Sequence, residues 1–305
     1  MRELSYYDLV VVGHFAIDVI VKGDAPPQGA LGGPPTYASL AARKMGASVG
    51  VISKVGDDFP EEHVKFLKDS GIDLKGLRVV KGAKTTNYVL IYNDGVRRMV
   101  LKARAPSIEL GDIPPDLVSK CILLAPIAGE IAHPVVSELR RRAECLCLDP
   151  QGFVRNFLRD GTVVLTRWFD RHVLGSIDVL KASLREYEQI MGKGRLRDGL
   201  RKLHDLGISM VIITLGEDGS ILSLRGRLFA IPAYEAKTVE PTGAGDVYIG
   251  AFLAEYAKDE DPVWCACVGS AAASFIVEDF GPTKFGERDE VLKRARELYE
   301  RVAEV

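Results

Sequence analysis

A chain of 305 residues, 47% hydrophobic and 27% charged, can bury a full core as one large α/β domain, alone or with a small appendage, and its composition excludes disorder. Its formal net charge is -2 and its basic residues are spread along the sequence, so no nucleic-acid partner is expected. No apolar run reaches the ~18 residues of a membrane span, and MRELSYYDLVVVGHF passes from charged residues straight into a strand pattern without a signal-peptide cleavage pattern. No membrane partner and a cytoplasmic location are therefore expected.

Taken in chain order, Leu9–Val12 reads as a buried strand and Phe15–Lys22 as a second run of strand composition. A helix at Thr36–Lys44, a strand at Ser48–Ser53 and a helix at Glu61–Ser70 follow, the last begun by Pro60 before two glutamates. Thr85–Lys102 again has strand composition, with Asn93-Asp94-Gly95 as a hairpin turn inside it. Buried strands are expected at Cys121–Ala125, Ala143–Leu148, Val163–Leu165, Val179–Ala182 and Met210–Thr214. Helices are expected at Pro134–Arg142, Leu184–Met191, Arg195–Leu206, Ala244–Ala257, Pro262–Ser274 and Asp289–Ala303, with Asp261 an N-cap before Pro262. Apolar strands alternating with amphipathic helices are the pattern of βαβ units feeding a parallel sheet. The two strand-rich segments near the N-terminus fall outside that set. A lone hairpin is not stable by itself, so they are expected to form a small sheet covering one end of the α/β core, within a single domain spanning 1–305 whose lid is about 14–32 and 84–104.

The five cysteines, Cys121, Cys145, Cys147, Cys265 and Cys267, carry CxC rather than CxxC spacing and are expected to be buried thiols, not metal ligands.

The most informative stretch is Glu240-Pro-Thr-Gly-Ala-Gly-Asp246, followed by VYIGAFLAEYAK. Proline and two glycines exclude regular structure before Gly245, and the residues after Asp246 have the composition of a buried helix. A Gly-rich turn opening a helix leaves unpaired amides at the positive end of the helix dipole, which together make an anion site. An acid on such a turn repels a bound anion unless its task is to take a proton from a nucleophile approaching that anion. Phosphoryl transfer needs this pair of features: amides of Gly243, Ala244 and Gly245 to hold charge, and the Asp246 carboxylate to orient or deprotonate a hydroxyl. An isolated GxGD is more simply a helix N-cap in a tight turn, and the company it keeps decides between the two readings. Gln151 and Arg155, in Asp149-Pro-Gln-Gly-Phe-Val-Arg155, follow the C-terminal end of an expected strand, where open α/β sheets place ligands, and are candidates for contacting a substrate.

EPTGAGD resembles the DTxGAGD signature of the ribokinase-like, or PfkB, family of carbohydrate kinases. In the same order along nearly the whole chain, Gly32-Gly33 resembles the family's N-terminal GG segment, Val55-Gly56-Asp57-Asp58 its VGDD, and Thr214-Leu215-Gly216 with Gly219 its TLGxxG. The resemblance implies a three-layer α/β/α sandwich with a mainly parallel central sheet and a small β-sheet lid, and an ATP-dependent kinase of a small sugar or polyol that uses Mg2+. It implies that Asp246 is the general base and Gly243, Ala244 and Gly245 the anion hole. Asp18 would hold substrate hydroxyls, and Gly32 and Gly33 would admit the substrate to the backbone and hinge the lid. Ser183-Leu-Arg-Glu186 resembles the family's NxxE motif with Ser for Asn, so Glu186 would serve a hydrated Mg2+. Ser183, Thr214, Gly216, Gly219, Thr242 and Ser270 would border the nucleotide. In similar proteins two copies pair through the lid sheet, which makes such a homodimer an expectation.

The departures are specific. Tyr37, a candidate substrate contact, stands where the common GGxxxN places Asn on the substrate, Ala16 where ribokinases carry another Asn, and Glu240 where the signature has Asp. Recognition of ribose as ribokinases perform it is not implied. The forms GGPPTYAS, EPTGAGD and LDPQGFVR look most like archaeal members that include a myo-inositol kinase, with nucleoside or phosphosugar kinases as the alternative within the family. A non-catalytic sugar- or nucleotide-binding protein is the alternative of another class. A Rossmann dehydrogenase is opposed by the missing GxGxxG after the first strand, and a Walker NTPase by the missing GxxxxGK[ST].

Overall fold

The computed structural model describes residues 5–22, 26–93 and 96–305. Seven parallel strands form the body of the central sheet: β1 (Ser5–Val12), β4 (Val49–Gly56), β5 (Ile72–Val80), β8 (Leu117–Leu124), β9 (Ala143–Leu148), β12 (Val179–Ser183) and β13 (Met210–Thr214). Antiparallel β14 (Ser220–Leu224), β15 (Arg227–Ile231) and β16 (Ala303–Glu304) extend one edge, giving the order β16-β15-β14-β13-β12-β9-β8-β1-β4-β5. Alternate residues of β1 show why both faces must be covered: Leu9 and Val11 enter one core, Val10 and Val12 the other. The first core packs against α1 (Pro34–Lys44), α2 (Glu61–Asp69), α8 (Ala244–Tyr256), α9 (Pro262–Ile276) and α10 (Arg288–Tyr299). The second packs against α3 (His133–Arg140), the short α5 (Arg171–Leu174), α6 (Leu184–Met191) and α7 (Leu196–Asp205). The three-layer expectation holds, and so does the Asp261 cap, whose side chain accepts from the amides of Val263 and Trp264. Among the described residues no helix is long and apolar enough to cross a membrane, and all five cysteines are buried and unbridged.

The lid is a separate sheet of four strands in the order β3-β2-β6-β7: β2 (Ala16–Lys22), β3 (Gln28–Gly32), β6 (Thr86–Asn93) and β7 (Val96–Ala103). β2 pairs in parallel with β6, whereas the two outer pairings are antiparallel. The Asn93-Asp94-Gly95 turn lies partly outside the described residues, but the strands flanking it pair as a hairpin.

One expected strand is elsewhere. Val163–Leu165 is not in the parallel sheet; as β11 it pairs antiparallel with β10 (Arg155–Phe157) in a two-stranded ribbon with a partly exposed surface. Three apolar residues cannot distinguish a core strand from a ribbon, and the Asp160-Gly161 turn before them favours the ribbon. The ribbon braces the lid, since Leu101 donates its amide to Gly161 O at 2.8 Å and Val100 bridges to Thr162. The last helix also ends earlier than expected, at Tyr299, and Ala303 belongs to β16.

Candidate active site

The C-terminal ends of β9, β12 and β13, the start of α8 and the inner face of the lid converge on one cleft of about 380 Å³. Its centre is the glycine turn. Gly243, the N-cap of α8, has φ +83, and a Cβ there would lie 2.4 Å from Cδ1 of Tyr37. Both the left-handed backbone and the close aromatic ring demand glycine. Asp246, in the first turn of α8, is 9% exposed, and its Oδ1 accepts from Gln151 Nε2 at 2.8 Å. Gln151 Oε1 in turn accepts from Arg155 Nη2 at 2.7 Å, and Arg155 Nη1 donates to Ile127 O at 3.3 Å. These two residues sit on the short helix α4 (Gln151–Val154) and its exit, directly after β9. The chain of hydrogen bonds fixes the rotamer of the Asp246 carboxylate from a backbone carbonyl outward.

Beneath the turn lies a buried ion pair. Lys181 Nζ is 2.7 Å from Asp149 Oδ2, and the two residues are 3% and 0% exposed. The ammonium is pressed so closely under the turn that a Cβ on Gly245 would be 2.6 Å from it. Burial and then the charge of Asp149 push the Asp246 carboxyl from its ordinary 3.8 up to about 7, against the opposing pull of Lys181, Gln151 and Arg155. Burial works against the charge of Lys181, but Asp149, Glu186 and Asp246 outweigh it and raise its ammonium to about 12. The site therefore combines a carboxyl poised to exchange a proton near neutrality with a cation that stays charged beneath the amides of the glycine turn.

Away from the lid the cleft is lined by Lys181, Ser183, Glu186, Thr214, Gly216 and residues 241–245. Ser183 caps α6. Its amide and hydroxyl both donate to Glu186 Oε2 at 2.8 Å, and its Oγ accepts from the Glu186 amide at 3.3 Å, a reciprocal capping box. The NxxE-like segment thus builds the start of a helix while keeping both side chains at the cleft. Glu186 Oε1 takes part in none of the hydrogen bonds of the described residues and is open to a further contact.

On the lid side Asp18, 7% exposed on β2, shares the sheet's inner face with Tyr88 and Leu90 of β6 and Met99 of β7. Gly33, Tyr37 and Ile127 complete the wall. Gly32 does not line the cleft but makes room for Asp18: a Cβ on it would fall 2.0 Å from Asp18 Oδ2. Gly32→Ala should therefore displace the aspartate and raise the KM for the acceptor by ~10-fold or more while leaving the KM for the phosphate donor nearly constant, as steady-state kinetics would measure. The lid is also tied to the glycine turn. Tyr92 of β6 donates to Glu240 Oε1 at 2.6 Å, and the same oxygen accepts from Thr242 Oγ1 at 2.7 Å.

The cleft thus gathers Asp18, Gly33, Tyr37, Gln151, Arg155, Ser183, Glu186, Thr214, Gly216, Thr242, Gly243, Ala244, Gly245 and Asp246, all singled out from sequence. Gly219 and Ser270 lie outside its lining: Gly219 turns the chain between β13 and β14 with φ +86, and Ser270 donates to Pro232 O at 2.8 Å. Lys181 was not foreseen, nor were Tyr88, Leu90, Met99 and Ile127. The available signal for Lys181 was a lysine inside an otherwise apolar strand, Val-Leu-Lys-Ala.

The pattern that defines pfkB family carbohydrate kinases matches residues 7–288, nearly the whole chain. The chain belongs to the pfkB family of carbohydrate kinases. This kinase is accordingly a phosphotransferase with a hydroxyl acceptor. It is 29% identical over 284 residues to a cytidine kinase of Thermococcus kodakarensis, covering 90% of this chain and 97% of that one. A nucleoside kinase of Methanothermobacter thermautotrophicus is 28% identical over 320 residues, covering 94% and 95%. Among solved structures, a pyrophosphate-dependent kinase in the ribokinase family, complexed with a pyrophosphate analogue and myo-inositol, matches with a TM-score of 0.77 over 93% of this kinase and 98% of its own chain. At 23% identity that likeness establishes the ribokinase fold alone.

Proposed function

We propose that this kinase transfers the γ-phosphate of ATP to a hydroxyl of a small cyclic polyol, myo-inositol being the leading candidate. The acceptor oxygen attacks phosphorus, its proton passes to Asp246, and the bond to the bridging oxygen breaks to release ADP. The observation that carries this reading is the Asp246 carboxylate, held by Gln151 at 2.8 Å beside the anion-binding turn and in one cleft with Asp18. Asp18, Gln151 and Arg155 offer acceptors and donors for several hydroxyls, while Leu90, Met99 and Ile127 offer an apolar wall for the C–H face of a ring.

Among the described residues no cluster of three or more metal-ligating side chains occurs. The donor set suits a Mg2+ that keeps its waters and arrives on the nucleotide, and Glu186, at the cleft, is the carboxylate that would meet that hydration shell. Such an ion would supply positive charge against the charge that develops on the transferred phosphoryl group. Lys181 and the amides of Gly243 to Gly245 would hold the transferred group, and the lid, latched through Tyr92 and Glu240, would keep water out.

A second acceptor, cytidine, is favoured by the full-length similarity to the Thermococcus enzyme, and the apolar wall would suit a base. ADP or phosphate release with myo-inositol, cytidine, ribose and fructose, each offered with ATP and with pyrophosphate, decides the matter. The polyol reading expects myo-inositol with ATP to give the highest kcat/KM. A kcat/KM for cytidine ~10-fold above that for myo-inositol would replace it with the nucleoside reading.

A further inference from the structure

A second cavity, of about 750 Å³, lies outside the active cleft and shares no lining residue with it. It sits between β3, α1, α2 and the segment after α9. Its apolar surface comes from Leu31, Leu40, Phe66, Pro282 and Phe285. Phe66 is 42% exposed, an unfavourable place for a phenyl ring unless something covers it. Its polar surface is one-sided: Arg43, Lys44 and His63 line it with Ser70 and Thr283, and among the described residues no carboxylate lines it. Arg43 is pre-positioned, donating from Nη1 to Ala47 O at 2.6 Å and from Nε to Ser70 O at 3.5 Å. Lys44 is held at the rim by an ion pair with Glu287, whose side chain is 68% exposed and so displaceable by a stronger anion.

We propose that this cavity is a regulatory site for a small organic phosphate with a planar, largely apolar body. The hydroxyl protons of Ser70 and Thr283 are already donated to Phe66 O at 2.8 Å and to Asp279 Oδ2 and Phe280 O at 3.1 and 2.9 Å, so the selection rests on charge: two cations facing one cavity favour a doubly charged phosphate monoester over a singly charged carboxylate. The volume far exceeds an inorganic ion and falls in the range of drug-sized ligands, and the two phenyl rings and the proline suit a flat ring. A route to the active site is built into the same residues. Leu31 precedes Gly32, the residue against which the Asp18 carboxylate rests. Leu40 is one helical turn from Tyr37, whose ring lies against Gly243, and Thr36 Oγ1 ties α1 back to Gly32 O at 2.8 Å. A ligand clamping Leu31 and Leu40 would steady both the acceptor aspartate and the anion-binding turn.

The test uses AMP as probe, with the nucleotide site saturated by the non-hydrolysable analogue AMP-PNP. Calorimetry should then show one further AMP bound per chain. Its affinity should fall ~10-fold in Lys44→Glu and again in Phe66→Ala, two surface changes outside the catalytic machinery. Bound AMP should lower the KM for the acceptor ~3-fold or more, with kcat little changed. No binding beyond AMP-PNP, equal affinity in both variants, or inorganic phosphate binding as tightly as AMP would overturn the site. Binding without any change in acceptor KM would overturn its regulatory role. None of these outcomes alters turnover without AMP, so the kinase reading stands or falls separately.

Discussion

Replacing Asp246 with Asn should lower kcat by ~10²–10⁴-fold, the usual worth of a general base, while the affinity for ATP changes little. The amide keeps the size of the side chain and can still meet Gln151, so the loss isolates the ability to take a proton. Near-normal turnover in this variant would remove Asp246 from the chemistry. The pH dependence follows from the same environment. Because burial and Asp149 push the carboxyl up to about 7, kcat/KM for the acceptor should climb as pH rises through about 7 and level off above it. Stability should run the other way. Between its ordinary 3.8 and about 7 the folded protein retains a proton that the unfolded chain has released, so this group's contribution to stability is lost as pH rises through that window. The Asn variant lacks that loss and should melt at a higher temperature than the parent at pH ~8.

The parts of the site that sequence made legible are those whose chemistry is local. Two glycines and an acid within four positions state both the backbone geometry at Gly243, φ +83, and the proton acceptor, with no need of distant partners. The lid hairpin was legible for the same reason, since its turn and its alternating strands are contiguous. The parallel pairing of β2 with β6 was not, because it joins segments about 70 residues apart and no local residue specifies it. The hairpin of β14 and β15 was missed because its turn is Arg225-Gly226, with Arg225 at φ 47, where composition leads one to look for Asn or Asp. Glu186 was legible as a residue type but not as half of a capping box, which depends on the helix starting at Leu184. Lys181 was hidden by its strand. A lysine in an apolar run suggests an exposed edge, and only the fold brings Asp149, 32 residues earlier, under it.

That hidden lysine carries the second large effect. Lys181→Met should lower kcat by ~10²-fold or more, because it removes a fixed cation from beneath the amides proposed to receive the transferred group. The same change strands Asp149, whose Oδ1 already lacks a hydrogen-bond partner among the described residues, as an uncompensated buried carboxylate. It should therefore also cost ~3–5 kcal/mol of stability. The double variant Lys181→Met with Asp149→Leu separates the two consequences, since replacing both members of a buried pair by apolar groups is often close to neutral. Thermal unfolding should return toward the parent value while kcat stays low. If activity returned together with stability, the pair would be a scaffold and the cation would have no part in transfer. Asp149→Asn alone gives a third reading. It removes a charge that raises the Asp246 carboxyl and leaves Lys181, which lowers it, so the midpoint of the pH profile should move below the parent's. An unmoved midpoint would mean that burial alone sets the proton affinity of Asp246.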